Sequence, residues 1–204
     1  NLRPPQPLII LGIPVPFPDV LLDAWSKLFK LAGVFHWLVF DKLPKNLIEL
    51  NCSSNKLLNL DNLPEKIKYL DCQDNLITKM DNLPLSLEIL NCSHNPILSL
   101  DYLPVNLIEL NCRRNLITSI DFLPNSLKKL NCSYNKIKML TNLPNNLLDI
   151  HCDSNEIEIL NIEKLNKLTL LSCYNNKITS LTNIPDSLKE LECSVNKITQ
   201  LNNL

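Results

Sequence analysis

A cysteine recurs at almost constant spacing along most of this chain. The series runs from Cys52 to Cys152 in steps of 20 residues, and Cys173 and Cys193 continue it after one step of 21 residues. A fixed period of this length is typical of a solenoid, in which each repeat contacts only its neighbours. The size limit of a single globular core does not apply to such a stack, so 204 residues can form one array.

Each repeat follows one pattern when the repeats are aligned on the cysteine. It is Leu-Pro-x-x-Leu-x-x-Leu-x-Cys-x-x-Asn-x-Leu/Ile-x-x-Leu, as in LPNSLKKLNCSYNKIKML at 123–140. Leu130 and Cys132 alternate along a short strand in this frame, so we expect both side chains to point into the core. Asn135 lies where the chain leaves the strand, and we expect its amide to hydrogen-bond backbone groups that the turn leaves unpaired.

This pattern contains L-x-x-L-x-L-x-x-N-x-L, so residues 43–204 resemble leucine-rich repeats. The Leu-Pro pairs are similar to those of the short repeats in secreted effectors of enteric bacteria and in large DNA viruses of amoebae. The matching pairs are Leu43-Pro44, Leu63-Pro64, Leu83-Pro84, Leu103-Pro104, Leu123-Pro124, Leu143-Pro144 and the variant Ile184-Pro185. The resemblance implies an α/β leucine-rich-repeat solenoid with a parallel β-sheet on its concave face and an extended, polyproline-like convex face.

Proline gives independent support for the extended segment. A proline in nearly every repeat disfavours helix interiors and favours extended backbone. The seventh repeat, NIEKLNKLTLLSC at 161–173, has no proline and carries the additional residue. We expect a helical turn and a local change of curvature there.

The cysteines have three explanations, and we favour simple packing in the core. A free thiol packs as a small apolar group, and identical positions accept identical residues. Disulfides are disfavoured because side chains on neighbouring parallel strands, about 4.8 Å apart, point the same way, whereas a disulfide needs converging Cβ atoms. A metal site is disfavoured because His151 and Cys152 are adjacent strand residues and face opposite sides.

We therefore predict free cysteines and no bound metal or cofactor. A chain rich in free thiols is typical of a reducing, intracellular compartment. For an effector or a viral protein this compartment is the host cytosol.

Residues 1–40 differ in kind from the array at 41–204, which holds about eight repeats. Six of the fourteen prolines lie in residues 1–18, which we expect to be extended. A helical pattern begins at Asp19, which is a suitable N-cap residue. Since a solenoid needs a cover over its first open core face, we predict that this segment forms an N-terminal helical cap.

Two other interpretations of this segment stay open. A membrane span or a membrane-surface helix is one, although Asp23, Lys27 and Lys30 weigh against a span. The other is that FPDVLLDAWSKL at 17–28 resembles the opening of an F-box. That resemblance implies that the array is the substrate-recognition part of a ubiquitin-ligase system.

A row of aspartates precedes the Leu-Pro pairs by two residues. Its members are Asp41, Asp61, Asp81, Asp101 and Asp121. We expect backbone N–H groups of the turn to compensate these stacked carboxylates. A calcium site is a weaker alternative, because each repeat supplies one carboxylate and Ca²⁺ takes six or more oxygen ligands.

Composition argues against enzymatic chemistry and against nucleic-acid binding. Gly12 and Gly33 are the only glycines, which leaves no phosphate-binding loop and no dinucleotide fingerprint. The cysteines face inward in this frame, so they are poorly placed as nucleophiles. A formal net charge of −1 gives no basic surface for phosphate groups. We predict that the chain is not an enzyme, has no catalytic residues and does not bind nucleic acid.

Function is therefore expected on the exposed positions of the strands. Asparagine precedes the cysteine in four repeats, which predicts a side-chain ladder, whereas the two positions after the cysteine vary. Arg and Tyr, which are frequent in binding hot spots, cluster among the varying positions. The partner-binding residues predicted on this basis are His94, Arg113, Arg114 and Tyr134, edged by His151, Asp153 and Tyr174. The alternative is that these are ordinary solvated residues of a polar face.

The sequence thus predicts a non-enzymatic module that binds a protein partner through the concave strand face. The alternative function is the substrate-recognition part of a ubiquitin-ligase system, either with an F-box-like N-terminus or as an effector-type ligase whose catalytic domain is absent. The sequence does not indicate the identity of the partner or the oligomeric state.

Overall fold

One three-residue strand in each repeat pairs in parallel with the strand of the next repeat. A computed structural model describes residues 43–201. The strands of the main sheet, in spatial order, are β1 (Glu49–Asn51), β2 (Tyr69–Asp71), β3 (Ile89–Asn91), β4 (Glu109–Asn111), β5 (Lys129–Asn131), β7 (Asp149–His151), β9 (Leu170–Ser172) and β11 (Glu190–Glu192). Two smaller parallel sheets pair β6 (Met139–Leu140) with β8 (Ile159–Leu160), and β10 (Ser180–Leu181) with β12 (Gln200–Leu201).

The register of the main sheet follows the sequence period. Leu130 lies opposite Leu110 on one side and Ile150 on the other, in steps of 20 residues. Ile150 then lies opposite Leu171, so the additional residue of the seventh repeat does not disturb the strand pairing. The predicted parallel-strand solenoid is confirmed.

The apolar positions of each repeat fill a continuous core. In the repeat at 123–140, the side chains of Leu127, Leu130, Cys132, Ile137 and Leu140 are all at most 2% exposed. Seven of the eight cysteines are fully buried, and Cys193 is half-buried. All eight cysteines are free, as predicted.

The Leu-Pro pair of each repeat enters a tight turn. Leu47 N–H donates to the Pro44 carbonyl over 3.0 Å, and the same bond recurs between Leu127 and Pro124 over 3.1 Å. Proline has no N–H to donate, but its carbonyl remains free to accept. The turn closes on a buried leucine and thereby directs the chain into the next strand.

The seventh repeat replaces this turn with two consecutive turns rather than the helical turn that we predicted. Leu165 N–H donates to the Ile162 carbonyl over 3.0 Å, and Leu168 N–H donates to the Leu165 carbonyl over 2.9 Å. All three side chains are at most 1% exposed. The three-residue spacing of apolar side chains therefore anchors this loop without proline.

Residues 43–201 contain strands and turns but no helix. The predicted helical cap in residues 1–40 lies outside the described residues, as does Asp41. In the described part of the chain, no helix has the length and apolar character that a membrane crossing requires.

From the second repeat onward, an asparagine in each repeat joins that repeat to the preceding one. Asn135 Nδ2 donates to the carbonyls of Cys132 and Cys112, both over 3.0 Å. Its Oδ1 accepts from Ile117 N–H, also over 3.0 Å. The predicted bonding to the turn of its own repeat is confirmed, and the bonds to the neighbouring repeat are additional.

The same arrangement recurs along the array. The asparagines that donate to cysteine carbonyls of two successive repeats are Asn75, Asn95, Asn115, Asn135, Asn155, Asn176 and Asn196. We call this row the asparagine ladder. It pairs loop carbonyls and N–H groups that would otherwise be buried without partners.

Asn135→Ala should lower the free energy of unfolding by about 2–4 kcal/mol, because each buried backbone group left without a partner costs about 1–3 kcal/mol. Urea denaturation followed by circular dichroism measures the loss. Asn145→Ala is the matched control, since Asn145 is exposed and its loss should cost at most about 0.5 kcal/mol. Equal losses in the two variants would contradict a structural role for the ladder.

Burial should also make the thiols unequal in reactivity. It raises the pKa of Cys112 to about 12 and that of Cys52 to about 12. Since the thiolate is the reactive form, the fraction available at about pH 8 is on the order of one in ten thousand. Cys193 is half-buried, so its sulfur is the most accessible of the eight.

In the folded 204-residue chain, a disulfide-exchange thiol reagent should modify Cys193 first and the other seven cysteines only on unfolding. Time-resolved absorbance, with and without denaturant, counts the reactive thiols. Cys193→Ser should remove the fast phase and leave the slow phase unchanged. Rapid native reaction of several thiols would contradict the packing of the cysteines.

Candidate functional site

The loop after each strand carries the variable positions, and its backbone is unusual. The second residue after each cysteine has a positive φ between 51° and 59°. These residues are Ser54, Asp74, His94, Arg114, Tyr134, Ser154, Asn175 and Val195. We call this row the left-handed row. Residues other than glycine adopt this conformation at a cost of about 1–2 kcal/mol, so the surrounding structure must stabilise it.

Hydrogen bonds between neighbouring loops hold the left-handed row. Arg114 N–H donates to the Ser133 carbonyl over 2.9 Å, and Tyr134 N–H donates to the Asp153 carbonyl over 2.8 Å. The side chains of Arg114 and Tyr134 are therefore attached to a backbone that hydrogen bonds to neighbouring loops hold in place.

The asparagines that precede the cysteines support the same loop from within the repeat. Asn131 Oδ1 accepts from Ser133 N–H over 3.1 Å, and Asn111 Oδ1 accepts from Arg113 N–H over 3.2 Å. We predicted a ladder of side chains between strands at these positions. These asparagines do lie side by side, but their amide oxygens bond to the loop two residues further on.

Three of the predicted residues meet around one aromatic ring. The guanidinium carbon of Arg113 lies 4.3 Å from the centroid of the Tyr134 ring, and that of Arg114 lies 5.1 Å from it. Both distances are within the range of a cation–π interaction. Tyr134 is 41% exposed, so one part of the ring remains open to a partner.

This arginine–tyrosine cluster differs from two lysines of neighbouring repeats in how its charge is balanced. Lys68 forms an ion pair with Glu88 over 2.7 Å, and Lys129 forms one with Glu109 over 2.8 Å. Within residues 43–201, neither Arg113 nor Arg114 forms an ion pair. Two guanidinium groups thus share an aromatic ring but have no carboxylate partner in that part of the chain.

His94 lies at one side of this cluster and interacts with the preceding repeat. Its Nδ1 is 3.4 Å from Asp74 Oδ1, and both residues belong to the left-handed row. Internal comparison at a step of 20 residues could have found Asp74, which we did not predict. His151 belongs to β7, where it is half-buried between Asn131 and Ser172.

Asp153 is occupied by internal hydrogen bonds. Its Oδ1 accepts from Ser172 Oγ over 2.5 Å and from Tyr174 N–H over 2.9 Å. Its Oδ2 accepts from Ser133 Oγ over 3.4 Å. Asp153 therefore connects three repeats and positions Tyr174, and these interactions use much of the capacity of its carboxylate.

Five of the seven predicted residues thus form two groups, and His94 and His151 belong to neither. Arg113, Arg114 and Tyr134 are in mutual contact, and Asp153 is hydrogen-bonded to the backbone of Tyr174. Ser133, next to Tyr134 in the chain, connects the two groups through its bond to Asp153. Among the described residues, no group of three or more His, Cys, Asp or Glu side chains is placed to hold a metal ion.

Several solved structures are similar to this one. The functional domain of InlJ from Listeria monocytogenes, which includes a cysteine ladder, is 39% identical, with a TM-score of 0.72 over 78% of this chain and 37% of that chain. YopM from Yersinia enterocolitica is 32% identical, with a TM-score of 0.65 over 77% of this chain and 39% of that chain. The leucine-rich-repeat domain of a Shigella effector is 26% identical, with a TM-score of 0.66 over 90% of this chain and 92% of that chain.

The chain is a leucine-rich-repeat protein. The resemblance to the repeats of bacterial effectors is confirmed by the YopM and Shigella structures, and the cysteine row has a counterpart in InlJ. No protein-family model matches the chain, and no curated protein matches it. The leucine-rich-repeat array described here spans about two fifths of the length of the InlJ and YopM chains.

Asp71 on the strand face stands between two repeats that hold asparagine at its position, and its pKa is raised. Asp71 is 7% exposed and takes the position that asparagine holds in β1 and β3. Burial raises the pKa of Asp71, although hydrogen bonds from Gln73 N–H and the Asn91 side chain act in the opposite direction. The folded protein therefore binds a proton at this site more tightly than the unfolded chain does.

Asp71→Asn should stabilise the protein at neutral pH by about 0.5–1 kcal/mol, the usual size for restoring a residue found at equivalent positions. Because the folded pKa is raised, ionisation of Asp71 lowers the stability of the unmodified protein as pH rises above the unfolded value of 3.8. The difference in free energy of unfolding between the variant and the unmodified protein should therefore shrink as pH falls toward that value. Urea denaturation at several pH values measures it, and a variant that is less stable at neutral pH would contradict this account.

Proposed function

We propose that this leucine-rich-repeat array is a non-enzymatic module that binds a protein partner through the exposed face of its main sheet. The observation that carries the proposal is the arginine–tyrosine cluster, in which two guanidinium groups flank one ring and have no carboxylate partner within residues 43–201. Arg and Tyr are the residue types most often found in binding hot spots.

The cluster also favours a particular partner chemistry. Two adjacent guanidinium groups repel each other, and a carboxylate that accepts hydrogen bonds from both would relieve this repulsion. The left-handed backbone at Arg114 and Tyr134 limits the freedom of these side chains before binding, so less conformational entropy is lost. We therefore propose that the partner presents an acidic side chain beside an apolar one.

The remaining predicted residues are assigned to the edge of this site. Tyr174 and His94 supply polar and aromatic surface on either side, while Asp153 acts through the backbone of Tyr174. We place the site on the concave face of the solenoid, as the resemblance implies. The polyproline-like form of the opposite face stays a prediction.

The F-box-like stretch at 17–28 lies outside the described residues, so a ubiquitin-ligase role stays a prediction. Exclusion of nucleic acid also stays a prediction, as does the absence of an enzymatic activity or cofactor.

An intracellular, reducing location is likewise a proposal, and the buried thiols weaken the argument for it. The pKa of Cys112 is raised to about 12 and its side chain is fully buried. A thiol in that state oxidises slowly in any compartment, because oxidation requires an accessible thiolate.

Arg113→Glu combined with Arg114→Glu should abolish selection of peptides by the site. A displayed library of random dodecapeptides would be selected on the immobilised chain, and the affinity of enriched peptides would be measured by fluorescence anisotropy. We expect enriched sequences to contain Asp or Glu, and the double variant to bind them at least about 30-fold more weakly, as loss of about 2 kcal/mol requires.

Lys136→Glu combined with Lys138→Glu is the control, since it changes the net charge equally at two exposed lysines outside the cluster. This variant should bind the peptides nearly as well as the unmodified chain. Both double variants should keep the original melting temperature within a few degrees. Peptides that bind the arginine variant undiminished would refute the proposed site.

A further inference from the structure

Two aromatic side chains on the loops are far more exposed than any aromatic residue of the strand face. Tyr102 is 78% exposed and Phe122 is 73% exposed. They occupy the same position, directly before Leu-Pro, in consecutive repeats. Other repeats hold asparagine there, at Asn62, Asn82, Asn142 and Asn183.

The backbone changes with the residue type. Asn62, Asn82 and Asn183 have positive φ values of 63°, 58° and 55°, a conformation that asparagine tolerates well. Tyr102 and Phe122 are not among the residues of the described chain with positive φ, in keeping with the higher cost for a bulky side chain. Asn142 also lacks a positive φ, so this second backbone form accepts asparagine as well.

A second position changes in the same part of the array. Leu85 is 71% exposed and Val105 is 68% exposed, and each directly follows the proline of its repeat. The equivalent residues elsewhere are polar, at Lys45, Glu65, Asn125, Asn145 and Asp186. We call Leu85, Tyr102, Val105 and Phe122 the aromatic patch. Exposed apolar side chains grouped on three neighbouring Leu-Pro segments are typical of an interaction surface.

The charge around the aromatic patch is negative. Asp81, Asp101 and Asp121 are exposed, and no side-chain hydrogen bond or ion pair of these three occurs within residues 43–201. Our prediction that N–H groups of the turn compensate the aspartate row is therefore wrong for these members, whose side chains are exposed instead. The stretches 95–108 and 115–127, which contain Tyr102 and Phe122, have no Lys or Arg.

We propose that the aromatic patch is a second docking surface, which binds a partner segment carrying Arg or Lys side chains next to apolar ones. Charge complementarity selects this occupant, because the aspartates supply anionic partners and the faces of Tyr102 and Phe122 attract cations. An acidic segment, which suits the arginine–tyrosine cluster, would be repelled here. The two surfaces therefore bind partners of opposite charge.

The test uses two fluorescein-labelled peptides of equal length, one alternating arginine with proline and the other alternating glutamate with proline. Proline-rich peptides hold an extended form in advance and pack well against aromatic side chains. Fluorescence anisotropy at low ionic strength uses the full chain with Arg113→Glu and Arg114→Glu, which removes the site proposed for acidic peptides. This chain should bind the arginine peptide alone. Equal binding of the two peptides, or binding of neither, would overturn the proposal.

Tyr102→Asn combined with Phe122→Asn is the decisive variant, because asparagine is the residue of four other repeats and fits both backbone forms. It should weaken binding of the arginine peptide at least about tenfold. Arg113→Glu combined with Arg114→Glu should bind that peptide no less tightly than the unmodified chain. Undiminished binding by the asparagine variant would overturn the proposal.

Asp101→Asn combined with Asp121→Asn tests the contribution of the negative charge by itself. It also tests the docking surface if the Tyr102→Asn, Phe122→Asn variant fails to fold. It should weaken binding and reduce its dependence on salt, since fewer ion pairs form. Unchanged binding and salt dependence would contradict the choice of a basic partner.

Two other possible occupants of the aromatic patch would give different experimental results. A synthetic peptide of residues 1–18 that competes for the patch more strongly than the arginine peptide would assign the surface to this chain itself. Self-association in sedimentation that the asparagine variant abolishes would assign it to a second copy. Either result would overturn the proposed partner.

Discussion

Contact between neighbouring repeats depends on the side-chain amide of one asparagine per repeat. The strands of the main sheet contain only three residues each, so strand pairing supplies few hydrogen bonds between one repeat and the next. Asn135 adds bonds to two cysteine carbonyls and accepts one from Ile117 N–H. Because the amide has both a donor and an acceptor end, one side chain satisfies groups on two repeats at once.

These hydrogen-bonded loops fix the positions of the exposed side chains that follow the strands. The second residue after the cysteine has a positive φ in all eight repeats, although the array contains no glycine. Bonded neighbours on both sides make this conformation tolerable for Arg114 and Tyr134. The β-branched Val195 also adopts it, with bonds from the preceding repeat to the Ser194 and Val195 carbonyls. The scaffold thus presents side chains of any type on a backbone that does not vary.

Cysteine suits the core of this scaffold for steric reasons. Its side chain is short and weakly polar, and it lies where the strand ends and the asparagine amide approaches the backbone carbonyl. Desolvation keeps the thiol protonated, and its raised pKa makes it unreactive. The ladder is therefore explained by packing, and its chemistry gives little information about function or location.

The sequence by itself determined the repeat, the parallel strand register, the inward position of Leu130 and Cys132, and the bonding of Asn135 to its turn. These follow from a period that fixes which residues are neighbours. It also placed Arg113, Arg114 and Tyr134 near one another, since residues one period apart lie side by side. The sequence did not predict the positive φ values of the loops or the hydrogen bonds that occupy the Asp153 carboxylate. Nor did it predict that Asp81, Asp101 and Asp121 lack hydrogen-bond partners within residues 43–201. These features depend on which donors and acceptors compete for one another in three dimensions.

The same limit explains the two errors in the loops. Residues 161–168 contain good helix formers, yet the buried Ile162, Leu165 and Leu168 are held in two turns by the spacing of the core beneath them. The aspartates were expected to bond to the turns, but the Leu87, Leu107 and Leu127 N–H groups of these turns donate to proline carbonyls instead. Periodicity determined which residues meet. Only the tertiary structure decided which of the possible hydrogen bonds each one makes, because several acceptors compete for the same donors.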